Sequence, residues 1–526
     1  MMNSGTMEKF LLDIRNYHIL TPKQQYNVEK LNSISKVFSS RAKIKLPEFD
    51  DCLPESVVID SGHQPNFLPY PGLWKKAFLL WKIQKKLSDT GVNTIAFFGF
   101  ADQNLSTAKI LSKNQIPYWN KKGSEDIGFR IEEKDRYKLF CTIEKPSRDK
   151  WEKEVNKIAG LYQQNANKLK IDRFQEKCQI NEIINILWAS YENSHNFAEL
   201  NSVIFAKICY DILGIDTIRF YMFSDLTREK IFLDESREII LQLDEYNHIF
   251  NRTIGAKKLD LRTVTPDRIP FWYHCDCGGK LDLIVSQPRE WSGLCPVCKK
   301  EYYLDVGKNL ERISEFYSRM DFSAVARNIV FANGMGSSLF LSGTGGALSY
   351  GIISDEISKE LGFYCPLTLS WVSRDYYFGL FHALALKELL KTFNFSLSEI
   401  PDGSFKKKIA SRISDSKFKI IEAEAKGDNE KTLKQLENIK HSLVNLALTS
   451  ENVFQIKPSL IDLLTSIDAH TIVNNWNNAV KNAIVEFDGI GYKINEDVIH
   501  LTDLLHEVKY EDIPIYYKQI ESIEVE

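Results

Sequence analysis

"VVIDSGHQPNFLPYPGLW", Val57 to Trp74, runs a short apolar stretch into a glycine, a histidine and three prolines. Val57 to Asp60 has the make-up of an interior strand of a parallel sheet, which is buried on both faces and therefore continuous rather than alternating. A plain connection after such a strand needs one turn residue, and Gly62 or Pro71 alone would supply it. Here His63, Gln64 and Asn66 bring hydrogen-bonding side chains onto a segment that Pro65, Pro69 and Pro71 stiffen by fixing φ. That pattern predicts a binding corner. A satisfied structural histidine is the competing reading.

Working outward, "LWKKAFLLWKIQKKLS" from Leu73 places Trp74, Ala77, Phe78, Trp81 and Leu87 at helical spacing, with lysines on the opposite face. "NTIAFFGFADQN" then gives a second apolar run ending in Asp102, Gln103 and Asn104. Strand, loop, helix and strand in this order predict a crossover with parallel strands. Both polar clusters fall at the carboxyl ends of their strands, where open α/β sheets bind ligands, so His63 and Asp102 are expected to face one crevice.

The pattern recurs. "AELNSVIFAKICYDILGI" predicts a helix and "DTIRFYMF" a strand, after which Ser224 or Asp225 is expected to cap a helix. "FLSGTGGALSYGIISDEISKELGF" reads as a strand, a glycine turn with Gly343, Gly345 and Gly346, and an amphipathic helix. Such a turn lets backbone approach a ligand, and helix amides favour an anion. It is neither a P-loop nor a full GxGxxG, and a ligand-free tight turn fits it equally well. "PLTLSWVSRDYYF" ends a predicted strand with Arg374 and Asp375, a carboxylate clamp or an internal ion pair.

Between these parts lies "FWYHCDCGGKLDLIVSQPREWSGLCPVCKKEYYL". Cys275 and Cys277 precede Cys295 and Cys298 with seventeen residues intervening, the spacing of a tetrahedral thiolate site for zinc. The first pair is CxC rather than CxxC, so His274 is a candidate replacement ligand. Four protein ligands leave no open position for a catalytic water, which makes the zinc structural. Cys52, Cys141, Cys178, Cys209 and Cys365 lie singly in apolar surroundings and are expected in the core.

The chain has 526 residues, long enough for several domains, with 44% hydrophobic and 26% charged residues. Its net charge of −3 gives no bulk electrostatic case for nucleic acid, and "SFKKKIASR" reads as a solvated helix face. The N-terminal residues lack a signal peptide's apolar run, and no stretch reaches the roughly eighteen apolar residues of a membrane span. Nine cysteines without a secretion signal do not read as a disulfide scaffold, so a cytoplasmic location is expected. After about residue 395 the sequence turns helical and charge-mixed. Leu433, Leu436, Ile439, Leu443 and Leu446 there form a narrow stripe that could pack on the core or on a second subunit. The expected architecture is an α/β chain with a Rossmann-like parallel-sheet core interrupted by a zinc ribbon, followed by a mainly helical C-terminal region. Its divisions are an N-terminal helical segment (1–48), a first core part (49–270), the ribbon (271–308), a second core part (309–395) and the C-terminal region (396–526).

With these landmarks in order, the chain resembles the cysteine-adding enzymes of bacillithiol biosynthesis, the BshC family. "SGHQPNFLPYPGLWKKAFLLWKI", "IAFFGFADQN", "GIDTIRFYMFSDLTREKI" and "SAVARNIVFANG" running into the glycine turn and "PLTLSWVSR" carry the resemblance over roughly residues 50 to 380. "HQPN" is also similar to a motif of WbqC-like proteins of surface-glycan gene clusters. The BshC resemblance implies a Rossmann-like core, a helical C-terminal part that mediates dimers, and the joining of cysteine to a glucosamine–malate conjugate. His63, Gln64, Asp102, Gly343, Gly345 and Arg374 are the positions it carries over. The chain departs from the family in three ways. "ADQN" holds one acid, Asp102, where the family has an acidic and histidine cluster; Gly346 stands where the family has a glutamate; and the zinc segment is added.

The expected function is a ligase or transferase joining an amine, cysteine by resemblance, to a small anionic sugar or hydroxy-acid conjugate. His63 would be the base or a hydrogen-bond donor, and Asp102 would orient it or bind the substrate ammonium. Gln64, Asn66, Gln103 and Asn104 would give an amide-rich lining. Gly343, Gly345, Gly346 and Arg374 would hold a carboxylate or phosphate. The rival is a non-catalytic zinc-ribbon protein that binds RNA or a protein partner.

Overall fold

The structure, a computed structural model, describes residues 4–15, 19–48, 53–118, 120, 122–169, 173–343, 347–376, 392, 404–455, 459–466, 468–487 and 492–500. Its strands are β1 (Ser4–Thr6), β2 (Val57–His63), β3 (Thr94–Phe100), β4 (Lys113–Pro117), β5 (Ser124–Gly128), β6 (Arg219–Met222), β7 (Arg268–His274), β8 (Lys280–Gln287), β9 (Glu290–Leu294), β10 (Glu301–Asp305), β11 (Met320–Phe322), β12 (Ser337–Ser342), β13 (Leu367–Tyr376), β14 (Ile484–Phe487) and β15 (Tyr492–His500).

Successive strand residues point to opposite faces. Along β2 and β3, Val57, Ile59, Ala96, Phe98 and Phe100 enter one apolar cluster, while Val58, Ile95 and Phe97 enter the other. Both faces are thus covered, the physical reason these strands read as unbroken apolar runs. The main sheet has eight strands in the order β1-β14-β15-β13-β12-β2-β3-β6. Pairing is parallel from β15 through to β6 and antiparallel at the β1–β14–β15 edge. The chain steps outward from β2 to β3 and β6, then returns to the other side of β2 with β12. The carboxyl ends of β2 and β12 therefore flank the topological switch point, the place where such sheets bind ligands.

The helix Pro71–Asp89 starts with proline at its first position, where no amide hydrogen is needed. Its predicted stripe is buried: Trp74 stacks on Phe205 with ring centroids 4.9 Å apart, and Phe78 tilts against Trp476 at 5.4 Å. A second sheet, β10-β9-β8-β7-β11, is antiparallel throughout and forms the cysteine-bearing ribbon. The C-terminal region is mainly helical, with Ser404–Lys426 packed on Glu430–Gln455, and its two strands β14 and β15 add to the main sheet.

Three local expectations are corrected. β2 continues past Asp60 to His63, because Gly62 pairs with Gly99 and His63 with Phe100 in unbroken parallel register. Neither Ser224 nor Asp225 caps a helix; the helix Phe223–Arg228 begins at Phe223 and both lie inside it. β13 runs through Arg374 and Asp375 to Tyr376, so both sit within the strand.

Candidate functional site

His63 is the last residue of β2 and is half-buried. Its Nδ1 lies 3.0 Å from the Gln64 carbonyl oxygen, which can only accept, so Nδ1 carries the proton and Nε2 keeps a free lone pair. Burial, and then the charge of Lys76 and that of Arg327, holds its pKa down to about 4. The imidazole is neutral at pH 7.

Asp102 does not orient this histidine. Its carboxylate accepts from the Ser224 amide (3.0 Å) and the Ser224 hydroxyl, which tie the loop after β3 to the Phe223–Arg228 helix. Two glycines permit that approach. A Cβ on Gly62 would stand 2.8 Å from the Gly99 carbonyl oxygen, and one on Gly99 would collide with Phe223. Burial pushes the Asp102 carboxyl up to about 7 against those hydrogen bonds.

The charges that act on His63 are those of Lys76 and Arg327, neither of which the sequence singles out for the site. Lys76 leaves the solvated face expected of it and donates from Nζ to the Gly62 carbonyl oxygen at 2.8 Å, with its ammonium 5.8 Å from the Phe340 ring. Lys75 is buried too, 4.8 Å from the Trp371 ring. Arg327, on the helix Ala324–Met335, places its guanidinium 5.4 Å from the Phe223 ring. Asp60 accepts from the Ser337 hydroxyl, and its burial raises it to about 7.

Beside this cluster opens a cleft of about 480 Å³ between the core and the ribbon sheet. Gln64 and Asn104 line it, as do Arg262, Arg268, Lys280 and Arg327; no acid does among the described residues. Lys280 is held by a buried ion pair to Asp321 and donates to the Gln103 carbonyl oxygen at 3.2 Å. Arg268 donates to Asp282 at 2.8 Å, and Trp272 lies between them, 5.1 Å from Arg268 and 5.0 Å from Lys280. The other expected amides sit elsewhere. Gln103 is buried, donates to Thr227 at 3.4 Å and lines a neighbouring cleft beside the cysteines. Asn66 is buried, and neither its Nδ2 nor its Oδ1 has a hydrogen-bond partner among the described residues. Gly343 is exposed after β12; Gly345, Gly346 and the Arg374 side chain lie outside the described residues.

The four cysteines converge as their spacing predicts. One Sγ from each of Cys275, Cys277, Cys295 and Cys298 lies within 4.8 Å of all the others, with 3.4 Å between Cys275 and Cys298 and 3.6 Å between Cys277 and Cys295. A tetrahedral site with Zn–S bonds of about 2.3 Å needs sulfurs roughly 3.8 Å apart, so the cluster fits zinc. Gly279 completes the cradle, since a Cβ there would sit 2.6 Å from the Cys295 sulfur. The Tyr302 hydroxyl donates to the Cys275 sulfur at 3.1 Å, an outer-shell bond of the kind that orients ligands. His274 is not a substitute ligand: its Nε2 faces Asp321 at 3.5 Å and its carbonyl oxygen accepts from Arg319. Of the lone cysteines, Cys209 is buried, Cys141 and Cys365 are half-buried, and Cys52 and the Cys178 side chain lie outside the described residues.

No helix among the described residues is long and apolar enough to cross a membrane. The chain matches no protein-family model, and no curated protein matches it.

Proposed function

We propose that this protein is a ligase or transferase that joins an amine to a small carboxylate- or phosphate-bearing conjugate in the cleft beside β2, with a structural zinc in the ribbon. The observation that carries the reading is the lining: three amides (Gln64, Asn104 and Asn247) and four cations, without an acid among the described residues, at the switch point of a parallel sheet. Gln64 and Asn104 would read hydroxyls, and the arginines would take the anionic group. The amine would attack an acyl carbon that reaches the cleft already activated. His63, with its Nε2 lone pair free, would accept the proton the amine loses and pass it to the group that leaves that carbon. Resemblance to the bacillithiol cysteine-adding enzymes supplies cysteine as the first amine to try. Zinc would hold the ribbon wall and take no part in the chemistry, because four thiolates fill its coordination.

Calorimetry with a sugar or hydroxy-acid conjugate and its neutral amide, at low and high ionic strength, tests the reading. The acid should bind more tightly, and its affinity should fall as salt rises. Equal binding of acid and amide would sink it.

A second reading rests on another face. A groove of about 430 Å³ on the ribbon is lined by Ile284, Leu294 and Tyr303, all exposed, alongside Asp282 and Glu301. An apolar groove with acidic neighbours suits a protein partner better than RNA.

A further inference from the structure

The cleft's cations are not equivalent. Arg268 is paired with Asp282 and Lys280 with Asp321, while Arg262 is exposed to water. Arg327 differs from all three. It is half-buried, lines the cleft, stacks on Phe223, and makes no hydrogen bond or ion pair among the described residues. Lys76, at the end of β2, donates to the neutral Gly62 carbonyl, and among the described residues no carboxylate stands within ion-pair distance of it. Asp60 is the acid whose charge acts on Lys76 and Asp321 the one that acts most on Arg327, but Asp60 is occupied by Ser337 and Asp321 by Lys280. Arg327 disfavours protonation of its basic neighbours: Lys76 is held down to about 7 by burial and then by Arg327.

Removing cations from water without an opposing charge is costly, and proteins pair such groups or use them. Two of them stand here, at the switch point and beside His63, without an ion pair to an acid among the described residues; Asp321 and Asp60 act on Arg327, and Asp60 on Lys76, only through their charge. We infer that Lys76 and Arg327 together form the subsite for the anionic group of the ligand, at the carboxyl end of β2. This rests on the proposed reading of the cleft and sharpens it by fixing which cations bind and where. It also assigns Lys76 a role that its place among helix lysines conceals. An anion held there would oppose the two charges that disfavour protonation of His63, so a filled subsite would make the histidine a better proton acceptor than an empty one.

Inorganic phosphate is the probe, titrated against the full chain by thermal shift and calorimetry with sodium chloride at matched ionic strength as control. Phosphate should stabilise the wild type, and Arg327→Gln and Lys76→Met should each weaken its binding at least tenfold. Arg289→Gln, which removes an exposed cation away from the cleft, should change it less than threefold. Arg327→Lys keeps a charge and should retain part of the affinity, which separates loss of the subsite from loss of the fold. Phosphate binding that survives both Arg327→Gln and Lys76→Met, or none in the wild type, would overturn the subsite. Failure of the two readings is distinguishable. A conjugate that binds as acid over amide but ignores Arg327→Gln leaves the cleft and removes the subsite. Phosphate dependence on both residues without acid preference in any conjugate leaves the subsite and removes the transferase.

Discussion

At the scale of the residue, two ionisable groups that the sequence places together turn out to do different work. The His63 side chain has one hydrogen bond among the described residues, to the carbonyl of its own neighbour. Its loss in His63→Ala should cost only about 1 kcal/mol, while ligand-induced stabilisation disappears. A large drop in Tm with the ligand response intact would make His63 structural. Asp102 is the structural member. Its pKa, raised from 3.8 to about 7, means that the folded chain binds a proton the unfolded chain has lost over that window. Stability from this group therefore falls as pH rises from about 4 to 7 and is level above. Asp102→Asn can still accept from the Ser224 amide and lacks the titration. Its stability relative to wild type should increase across that window in urea melts, and a pH-independent difference would show that Asp102 titrates normally.

At the scale of the element, zinc loading of the ribbon is the sharpest expectation. Purified protein should contain about one zinc per chain, and Cys295→Ser or Cys298→Ser should lose it by elemental analysis. Full occupancy in both variants would mean that other groups hold the metal. This site is legible in the sequence because cysteine pairs flanked by glycines are a local signal, as are the apolar runs of β2, β3, β6 and β12. The cleft is much less so. Gln64 and Asn104 stand on the corners that the strand ends mark, but the opposite wall comes from Arg268, Trp272 and Lys280, some two hundred residues away and part of another sheet. Helical periodicity also misplaces Lys76. A helical wheel sends lysines to water, whereas the first turns of this helix abut the end of β2. Arg327 left one trace that a closer reading could use: a single arginine in the otherwise uncharged helix "AVARNIVFANGM".

At the scale of the whole molecule, the main sheet divides the core in two, and the ribbon belongs to one side. Phe271, Tyr273, Leu281, Leu283 and Trp291 share a cluster with Val58, Ile95, Phe97 and Tyr221 of the main sheet and with Val325, Ile329 and Val330 of the Ala324–Met335 helix. The Pro71–Asp89 and Phe197–Lys207 helices pack on the opposite face. The ribbon is thus continuous with half of the core. Structural zinc contributes on the order of 10 kcal/mol to the folding of small metal domains, a large term beside the net stability of a protein. Removing zinc by chelation should accordingly raise hydrogen exchange first in β7 to β10 and next in the Ala324–Met335 helix, which carries Arg327. The Pro71–Asp89 helix should stay protected, since its contacts lie across the sheet. Phosphate stabilisation should weaken in step, because the ribbon wall and Arg327 loosen together. Exchange confined to the ribbon strands, with Ala324–Met335 unchanged, would show that the ribbon unfolds as a separate unit and that zinc has no hold on the cleft.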